Sequence, residues 1–153
     1  MIAKRLIVWA VLALMACVFM AGLAQQQAIQ QAKVTMADID NALTKGPVFI
    51  EFETAECGYC RQQRPITQQL ETEYTGKVTF FYVDAVENRD LAKAFMVTGV
   101  PQMDVIAKKA DGKYTYIDRN GAPSDSISAS RFMGLTQKDA LKKALDAAIQ
   151  ARK

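Results

Sequence analysis

Two cysteines with two residues between them, in the stretch "TAECGYCRQQRP" (54–65), constrain the fold of this chain more than any other feature. The stretch before them, "VFIEFE" (48–53), is rich in the β-branched and aromatic residues that favour a buried strand. The stretch after them places Ile66, Leu70 and Tyr74 on one face at helical spacing. The sequence therefore predicts a strand, a cysteine pair and a helix in direct succession.

The rest of the domain alternates between helical and strand-like segments. Thr35 and Asp38 can cap a first helix that ends at Gly46. "VTFFYVDA" (78–85) is apolar on both faces, which is typical of a central strand with helices on each side. The later segments are a helix at 88–96, a hairpin at 102–119 that turns at Asp111-Gly112, a small polar loop at 120–130, and a last helix that Thr136 caps, with Asp139 reciprocating. This order predicts an α/β domain built in layers.

The first residues of the chain have the pattern of a segment that directs a protein to a membrane. After two basic residues, residues 6–24 carry no charge, and these 19 residues approach the ~20 that a membrane-spanning helix needs. Residues 22–24 also offer the small side chains of a signal-peptidase site, with cleavage before Gln25. The segment that ends at Cys17 resembles the acylation box of a bacterial lipoprotein. Three interpretations stay open: a retained anchor, a cleaved signal peptide and a lipoprotein.

All three interpretations place the folded domain on the same side of the membrane. Positive charge before the apolar segment keeps the N-terminus in the cytoplasm and the rest of the chain outside it, where disulfides persist. We expect a protein of the cell envelope, on the periplasmic or extracytoplasmic side and anchored in the inner membrane. The expected organisation is a membrane anchor or signal peptide at 1–24, a polar tether at 25–33, and the folded domain at 34–153.

Composition excludes several classes of function. The chain has no histidine, so it cannot carry a Ser-His or Cys-His nucleophile pair or a zinc site that uses histidine. Its net charge of +3 includes the two basic residues ahead of the apolar segment, and residues 25–153 carry 17 basic and 16 acidic side chains. Because that near-balance gives no basic surface, we expect no nucleic-acid partner.

Three kinds of chemistry compete with thiol exchange for the pair Cys57 and Cys60. A closed zinc site needs four ligands, and the pair supplies two. Covalent c-type haem needs a histidine after the second cysteine, where this chain has Arg61. A structural disulfide over so short a loop restrains little of the unfolded chain. These arguments favour thiol–disulfide exchange, with no metal and no cofactor.

The order of elements and several local features resemble the thioredoxin superfamily over roughly residues 34–150. The C-x-x-C follows the first core strand and opens a helix, and Pro65 falls where family members kink that helix. Gly99-Val100-Pro101 matches the cis-proline loop before the hairpin, and Gly121 and the closing helix also fit. The resemblance implies a thioredoxin-like fold, with a central mixed β-sheet flanked by helices. It also implies a thiol–disulfide oxidoreductase that acts on protein thiols and disulfides.

The two cysteines occupy different positions on the predicted helix. Cys57 lies at its start, where unpaired N–H groups and the positive end of the helix dipole favour a thiolate. Cys60 lies one turn later and closer to the core. Cys57 is therefore the predicted nucleophile that attacks a substrate disulfide, and Cys60 is the thiol that resolves the mixed disulfide.

The resemblance brings further residues into the site. Glu51 aligns with the buried acid that moves a proton to and from the resolving cysteine, and burial would raise its pKa; the alternative is an exposed glutamate at a strand edge. We expect Pro101 to be cis, so that an incoming peptide can pair with Val100 as an added strand. Gly58 lets a backbone approach closely, and Tyr59 covers the active face. This dipeptide is similar to that of bacterial periplasmic disulfide isomerases.

The chain differs from the family pattern in four places. Glu53 and Glu56 stand where tryptophans are usual, and Tyr82 stands where a lysine often partners the buried acid. Residues 122–130 look like an insertion ahead of the last helix. The missing tryptophans argue against a general thioredoxin that docks thioredoxin reductase.

The sequence leaves the direction of electron flow open. An oxidase, an isomerase and a reductase fed by a membrane electron carrier all fit the motif. An isomerase usually needs a dimerisation module, which residues 25–33 do not supply, so a reductase is slightly favoured. A second class of function is a redox-inactive binding or assembly factor of the envelope, which would hold unfolded segments in the groove beside Pro101.

Overall fold

The computed structural model describes residues 33–153. In this part of the chain the elements are α1 (Met36–Lys45), β1 (Val48–Glu53), α2 (Gly58–Glu73), β2 (Thr79–Asp84), α3 (Arg89–Ala94), β3 (Gln102–Ala110), β4 (Lys113–Ile117), β5 (Pro123–Ser124), α4 (Ile127–Ser130), β6 (Phe132–Met133) and α5 (Lys138–Gln150). The expected anchor at 1–24 and nearly all of the tether lie outside the described residues. None of the helices within 33–153 combines the length and the apolar character needed to span a membrane.

The strands form one mixed sheet in the order β2-β1-β3-β4-β5, with β6 also paired to β3. β1 and β2 are parallel, whereas β3 runs antiparallel to β1, β4 and β6. The predicted mixed sheet flanked by helices is confirmed. Because β3 begins beside the end of β1, the segment before β3 and the segment after β1 meet at the same end of these two strands.

The predicted central position of β2 is wrong for the described residues. β2 lies at the end of the strand order and pairs with β1 alone. Phe80 packs into one core of the protein, and Phe81 packs into the other, so both faces of β2 are covered as its apolar pattern indicated. That pattern reports covered faces and carries no information on whether one or both edges of a strand are paired.

Side chains of the sheet alternate between two cores on its opposite faces. One, which we call the α2–α5 core, contains Phe49 of β1 and Leu145 of α5. The other, the α1–α3 core, contains Ile50 of β1 and Leu91 of α3. Successive residues of a strand point to opposite faces, so Glu51 points to the same side as Phe49, towards α2.

Two local structures that the sequence predicts are confirmed at the ends of elements. Thr35 and Asp38 form a capping box: the Thr35 hydroxyl accepts from the Asp38 N–H at 3.3 Å, and the Asp38 carboxylate accepts from the Thr35 N–H at 2.9 Å. The β3–β4 hairpin turns through Asp111 and Gly112, whose φ angles are 51° and 76°. A two-residue turn with positive φ at both positions favours Asp-Gly.

The segment between β4 and α5 is more ordered than the predicted polar loop at 120–130. It contains the short strand β5 and the single helical turn α4, and β6 follows directly. Ile127 of α4 packs against the α1–α3 core. Elements of two to four residues are too short for hydrophobic periodicity to reveal.

The predicted cap of the last helix is also wrong. α5 begins at Lys138 with Gln137 as its N-cap, and Gln137 makes no side-chain cap hydrogen bond. The N–H of Thr136 instead donates to Oε1 of Gln63 on α2 at 2.7 Å. Gln63 thus accepts the N–H that the sequence predicts Asp139 to accept. The Thr136 hydroxyl donates to the Gly134 carbonyl oxygen at 3.2 Å.

Candidate active site

Cys57 is the N-cap residue of α2. Its backbone is extended, with φ −78° and ψ 109°, and the residue is half-buried. Its Sγ accepts a hydrogen bond from the N–H of Cys60 at 3.0 Å. Unpaired N–H groups and the positive end of the helix dipole meet at this point, so negative charge on the Cys57 sulfur is stabilised here.

Cys57 and Cys60 form a disulfide, with their Cα atoms 5.2 Å apart. Cys60 is 2% exposed, whereas Cys57 is half-buried. An incoming thiolate therefore has access to the Cys57 sulfur before that of Cys60. Within residues 33–153 no three side chains of the metal-binding types come together as a possible metal site.

The loop before β3 lies against Cys57. Gln102 at the start of β3 pairs with Phe52 near the end of β1, which brings the preceding residues to the active edge. The Val100–Pro101 peptide bond is cis, as the sequence predicts. The carbonyl oxygen of Val100 lies 3.6 Å from Sγ of Cys57, although 43 positions separate the two residues. The sheet thus joins the two segments that the sequence singled out.

Gly58 and Tyr59 form an exposed rim beside the disulfide. Tyr59 is 63% exposed, so its ring is accessible to a bound polypeptide. A Cβ atom at Gly58 would lie 3.7 Å from Nη2 of Arg61, which is an ordinary van der Waals contact. The packing of the protein itself therefore does not require a glycine at position 58, and the close approach of a substrate backbone at Gly58 stays a prediction.

Glu51 is a buried carboxyl group beneath α2. It is 0% exposed, and neither of its oxygens has a hydrogen-bond partner among the described residues. Burial raises the pKa of Glu51, and the nearby Thr67 hydroxyl and Arg64 guanidinium on α2 oppose that rise. The alternative of an exposed glutamate is therefore wrong. A carboxyl with a raised pKa can accept and return a proton at higher pH than an exposed one.

Comparison with known proteins agrees with this arrangement of cysteines, cis-proline and buried acid. The sequence profile of the family described as Thioredoxin matches residues 30–147, more than half of the chain. The chain belongs to the thioredoxin family.

Individual relatives support the same assignment. A thioredoxin of Staphylococcus aureus is 27% identical over 114 residues, which cover 74% of this chain and 93% of the relative. Chloroplastic thioredoxin z superposes with a TM-score of 0.57 at 20% identity, covering 82% of this chain and 99% of the other. Mitochondrial thioredoxin 3 of Saccharomyces cerevisiae gives a TM-score of 0.54 at 24% identity, with 74% and 92% covered. These two structural likenesses support the fold.

Members of the thioredoxin family are thiol–disulfide oxidoreductases that act on protein thiols. This chain carries the family's dithiol as the closed Cys57–Cys60 pair at the start of a helix. Family membership and the cysteine pair together make it a thiol–disulfide oxidoreductase.

Arg64 supplies a positive charge where other family members often have a lysine on the neighbouring strand. Tyr82 holds that strand position, in register with Glu51. The guanidinium carbon of Arg64 lies 3.9 Å from the centre of the Tyr82 ring. Arg64 also pairs with Glu53, with its Nε 3.1 Å from Oε2 of Glu53. In this family member the positive charge that opposes the burial-driven rise in the pKa of Glu51 therefore comes from α2.

Sequence reasoning missed two buried polar residues on α2. Gln63 and Thr67 are each 0% exposed, on the helix face that also buries Cys60 and Leu70. Oε1 of Gln63 accepts from the Thr136 N–H, and its Nε2 has no partner among the described residues. The available signal was the helical spacing of these positions, which places polar side chains on a face that must be buried.

Proposed function

We propose that the chain is an extracytoplasmic thiol–disulfide oxidoreductase in which Cys57 exchanges with disulfides of protein substrates and Cys60 resolves the product. The observation that carries this proposal is the position of the Cys57 sulfur. It is half-buried at the start of α2, 3.6 Å from the Val100 carbonyl oxygen, with Cys60 almost fully buried behind it. A substrate held along Val100 would present its own sulfur to Cys57.

In the reducing direction the cycle begins with both cysteines as free thiols. The Cys57 thiolate attacks one sulfur of the substrate disulfide, forms a mixed disulfide, and releases the other substrate sulfur as a thiolate. Cys60 passes its proton to Glu51, and its thiolate attacks the Cys57 sulfur. The Cys57–Cys60 bond closes and the second substrate thiolate leaves. Two electrons pass from the cysteine pair to the substrate, whose thiolates take protons from solvent.

The surroundings of Cys57 suit a polypeptide substrate. An extended segment can pair with the main chain at Val100 as an added strand. Tyr59 and Leu135 are 63% and 40% exposed, and Leu135 follows Gly134, whose N–H donates to the Pro101 carbonyl oxygen at 2.8 Å. Apolar side chains thus border the main-chain edge at which the segment would bind, so protein thiols and disulfides are the proposed partners.

The proposed location is the extracytoplasmic side of the inner membrane. Two basic residues followed by the uncharged segment 6–24 support an anchor with its N-terminus in the cytoplasm. Cell fractionation should find the full chain in membranes, and protease added outside the inner membrane should digest the domain. A soluble product that begins at Gln25 would show cleavage of the segment instead, and a protease-protected domain would contradict the location.

The proposed direction is reduction, with electrons supplied by a membrane carrier. Support comes from the tether at 25–33, which is too short to form the dimerisation module that an isomerase usually needs. Titration of the cysteine pair in glutathione buffers should give a midpoint near the reducing end of the family range, which runs from about −270 to −120 mV. A midpoint near the oxidising end would favour an oxidase.

Reduction of insulin tests the catalytic proposal directly. The reduced full chain should cleave insulin disulfides, and Cys57→Ser should abolish this activity. Cys17→Ser is the matched control, because it removes a cysteine of the N-terminal segment, and it should retain the activity. If the chain neither reduces insulin nor oxidises a reduced peptide, and Cys57→Ser leaves its cellular phenotype intact, the envelope binding factor becomes the better account.

A further inference from the structure

β3 carries two buried polar side chains on the α1–α3 side of the sheet. Gln102 and Asp104 are both 0% exposed. They stand opposite Phe52 and Ile50 of β1, which belong to the α1–α3 core. Gln102 is the residue that directly follows Pro101. A polar pair therefore lies in an apolar core, at the base of the loop that approaches Cys57.

Two main-chain carbonyls at the end of α3 receive hydrogen bonds from side chains elsewhere in the chain. The helix ends in a left-handed turn at Met96, whose φ is 51°. The last carbonyls of a helix have no partner within it. Nε2 of Gln102 donates to the Phe95 carbonyl oxygen at 3.0 Å, and Nη1 of Arg131 donates to the Met96 carbonyl oxygen at 2.9 Å.

Asp104 accepts a hydrogen bond from the first of these two donors. Its Oδ2 accepts from the same Nε2 of Gln102 at 2.9 Å. The positive charge of the second donor, Arg131, acts to lower the pKa of the Asp104 carboxyl. We call Asp104, Gln102 and Arg131 the loop clamp. It holds the carbonyl oxygens of Phe95 and Met96 from two different parts of the chain.

The loop clamp lies at the root of the substrate-binding loop. Residues 97–100 follow Met96 and lead directly to Pro101. We infer that Asp104 is a positioning residue for substrate binding: through the loop clamp it fixes residues 95–100, and with them the main-chain edge at Val100 on which a polypeptide disulfide docks. This inference rests on the proposed function.

The unpaired atoms of the clamp argue for a functional reason. Oδ1 of Asp104 and Oε1 of Gln102 have no hydrogen-bond partner among the described residues. Buried polar groups without partners destabilise a fold, and a pair of apolar side chains would fill this space at lower cost. Buried polar atoms without partners are expected mainly at positions where they serve the function of the protein. Their position beside the loop that carries Val100 indicates what that function is.

The test compares two substrates that use the loop differently. One is an extended peptide closed by a single disulfide, and the other is 2-hydroxyethyl disulfide, which is too small to pair with the main chain at Val100. Asp104→Leu removes the acceptor of the loop clamp. It should raise KM for the peptide about tenfold, as expected for one misaligned main-chain hydrogen bond, and keep kcat/KM for the small disulfide within about twofold.

Two further variants separate positioning from general damage to the core. Asp104→Asn keeps an oxygen that accepts from Gln102, so it should return the peptide KM to within about threefold of the original value. Ile50→Val, at the position opposite Asp104, removes one methyl group from the same core and leaves the hydrogen bonds of the clamp in place, so it should alter neither substrate's kinetics.

An unchanged peptide KM in Asp104→Leu, or an equal loss for both substrates, would overturn the inference. If Asp104→Leu does not fold, Arg131→Met removes the donor to Met96 from a half-buried position. The peptide KM should then rise in the same way, and an unchanged value would again overturn the inference. A wild-type chain that turns over neither substrate would overturn the proposed function itself, and the inference with it.

Discussion

Replacing Asp104 with asparagine should stabilise the folded protein at pH 8 and change it little at pH 4. Burial raises the pKa of Asp104 from an ordinary value of 3.8 to about 7, while the Gln102 hydrogen bond and the Arg131 charge act in the opposite direction. Between the two pKa values, at about pH 4 to 7, the Asp104 carboxyl keeps its proton in the folded state and has lost it in the unfolded state. The folded state then binds more protons, so the free energy of unfolding falls as pH rises.

The size of the effect follows from the same difference. The interval between the two pKa values is about 3 pH units, and each unit corresponds to about 1.4 kcal/mol. Ionisation of Asp104 should therefore lower the free energy of unfolding by about 4 kcal/mol, fully developed above pH 7. That is a large share of the roughly 5–15 kcal/mol by which domains are stable. Asparagine does not titrate and keeps the acceptor for Gln102, so the free energy of unfolding of the variant should not fall in this way as pH rises.

Urea unfolding followed by far-UV circular dichroism, with the disulfide closed, measures this difference. At pH 8 Asp104→Asn should exceed the wild-type chain by about 3 to 4 kcal/mol, and at pH 4 by about 1 kcal/mol or less. The exposed Asp125→Asn is the control and should stay within about 0.5 kcal/mol at both pH values. Glu51 is present in the wild-type chain and in both variants, so its contribution to the pH dependence cancels when their free energies of unfolding are compared. An equal gap at pH 4 and pH 8 would refute the reasoning.

Three further predictions concern the proton acceptor, the core and a close backbone contact. Glu51→Gln should slow release of substrate from the mixed disulfide about a hundredfold and remove its rise with pH in quenched-flow experiments, with the first attack by Cys57 unaltered; an unchanged release rate would contradict the role of Glu51. Phe52→Ala, at a 0% exposed position, should cost about 3–5 kcal/mol in urea unfolding, and a cost below about 1 kcal/mol would show that the ring is poorly packed. Gly46→Ala places a Cβ atom 2.8 Å from the Lys77 carbonyl oxygen, so it should cost about 1–3 kcal/mol; a neutral result would mean that this backbone moves apart freely.

The parts of the fold that the sequence predicts well depend on interactions within a few residues. The capping box at Thr35 and the turn at Asp111-Gly112 need only local hydrogen bonds or a local φ preference. The placement of Cys57 at the start of α2 is equally local, because a strand and a helix flank it directly. The order of the elements and the resemblance to the thioredoxin superfamily are then enough to predict that Pro101 lies beside Cys57.

The parts that the sequence does not predict depend on distant contacts. The predicted capping pair of Thr136 and Asp139 does not form: Gln63, 73 positions earlier, accepts the Thr136 N–H, and the Thr136 hydroxyl bonds to Gly134. The predicted central position of β2 is wrong because the side chains of a strand indicate which of its faces are covered and not which of its edges are paired. Asp104 shows in sequence as a polar residue within a strand, but its loop clamp with Arg131 exists only once β3, α3 and the segment before β6 have packed together.

Capture of a mixed disulfide tests the role of Cys57 most directly. In a Cys17→Ser background, Cys60→Ala lacks the resolving thiol, so covalent adducts with substrate proteins should accumulate and mass spectrometry should locate the bond at the Cys57 sulfur. Cys57→Ala, which leaves only the buried sulfur of Cys60, should trap nothing. Equal trapping by the two variants, or adducts joined through Cys60 alone, would contradict the assignment of the exposed helix-start sulfur as the nucleophile.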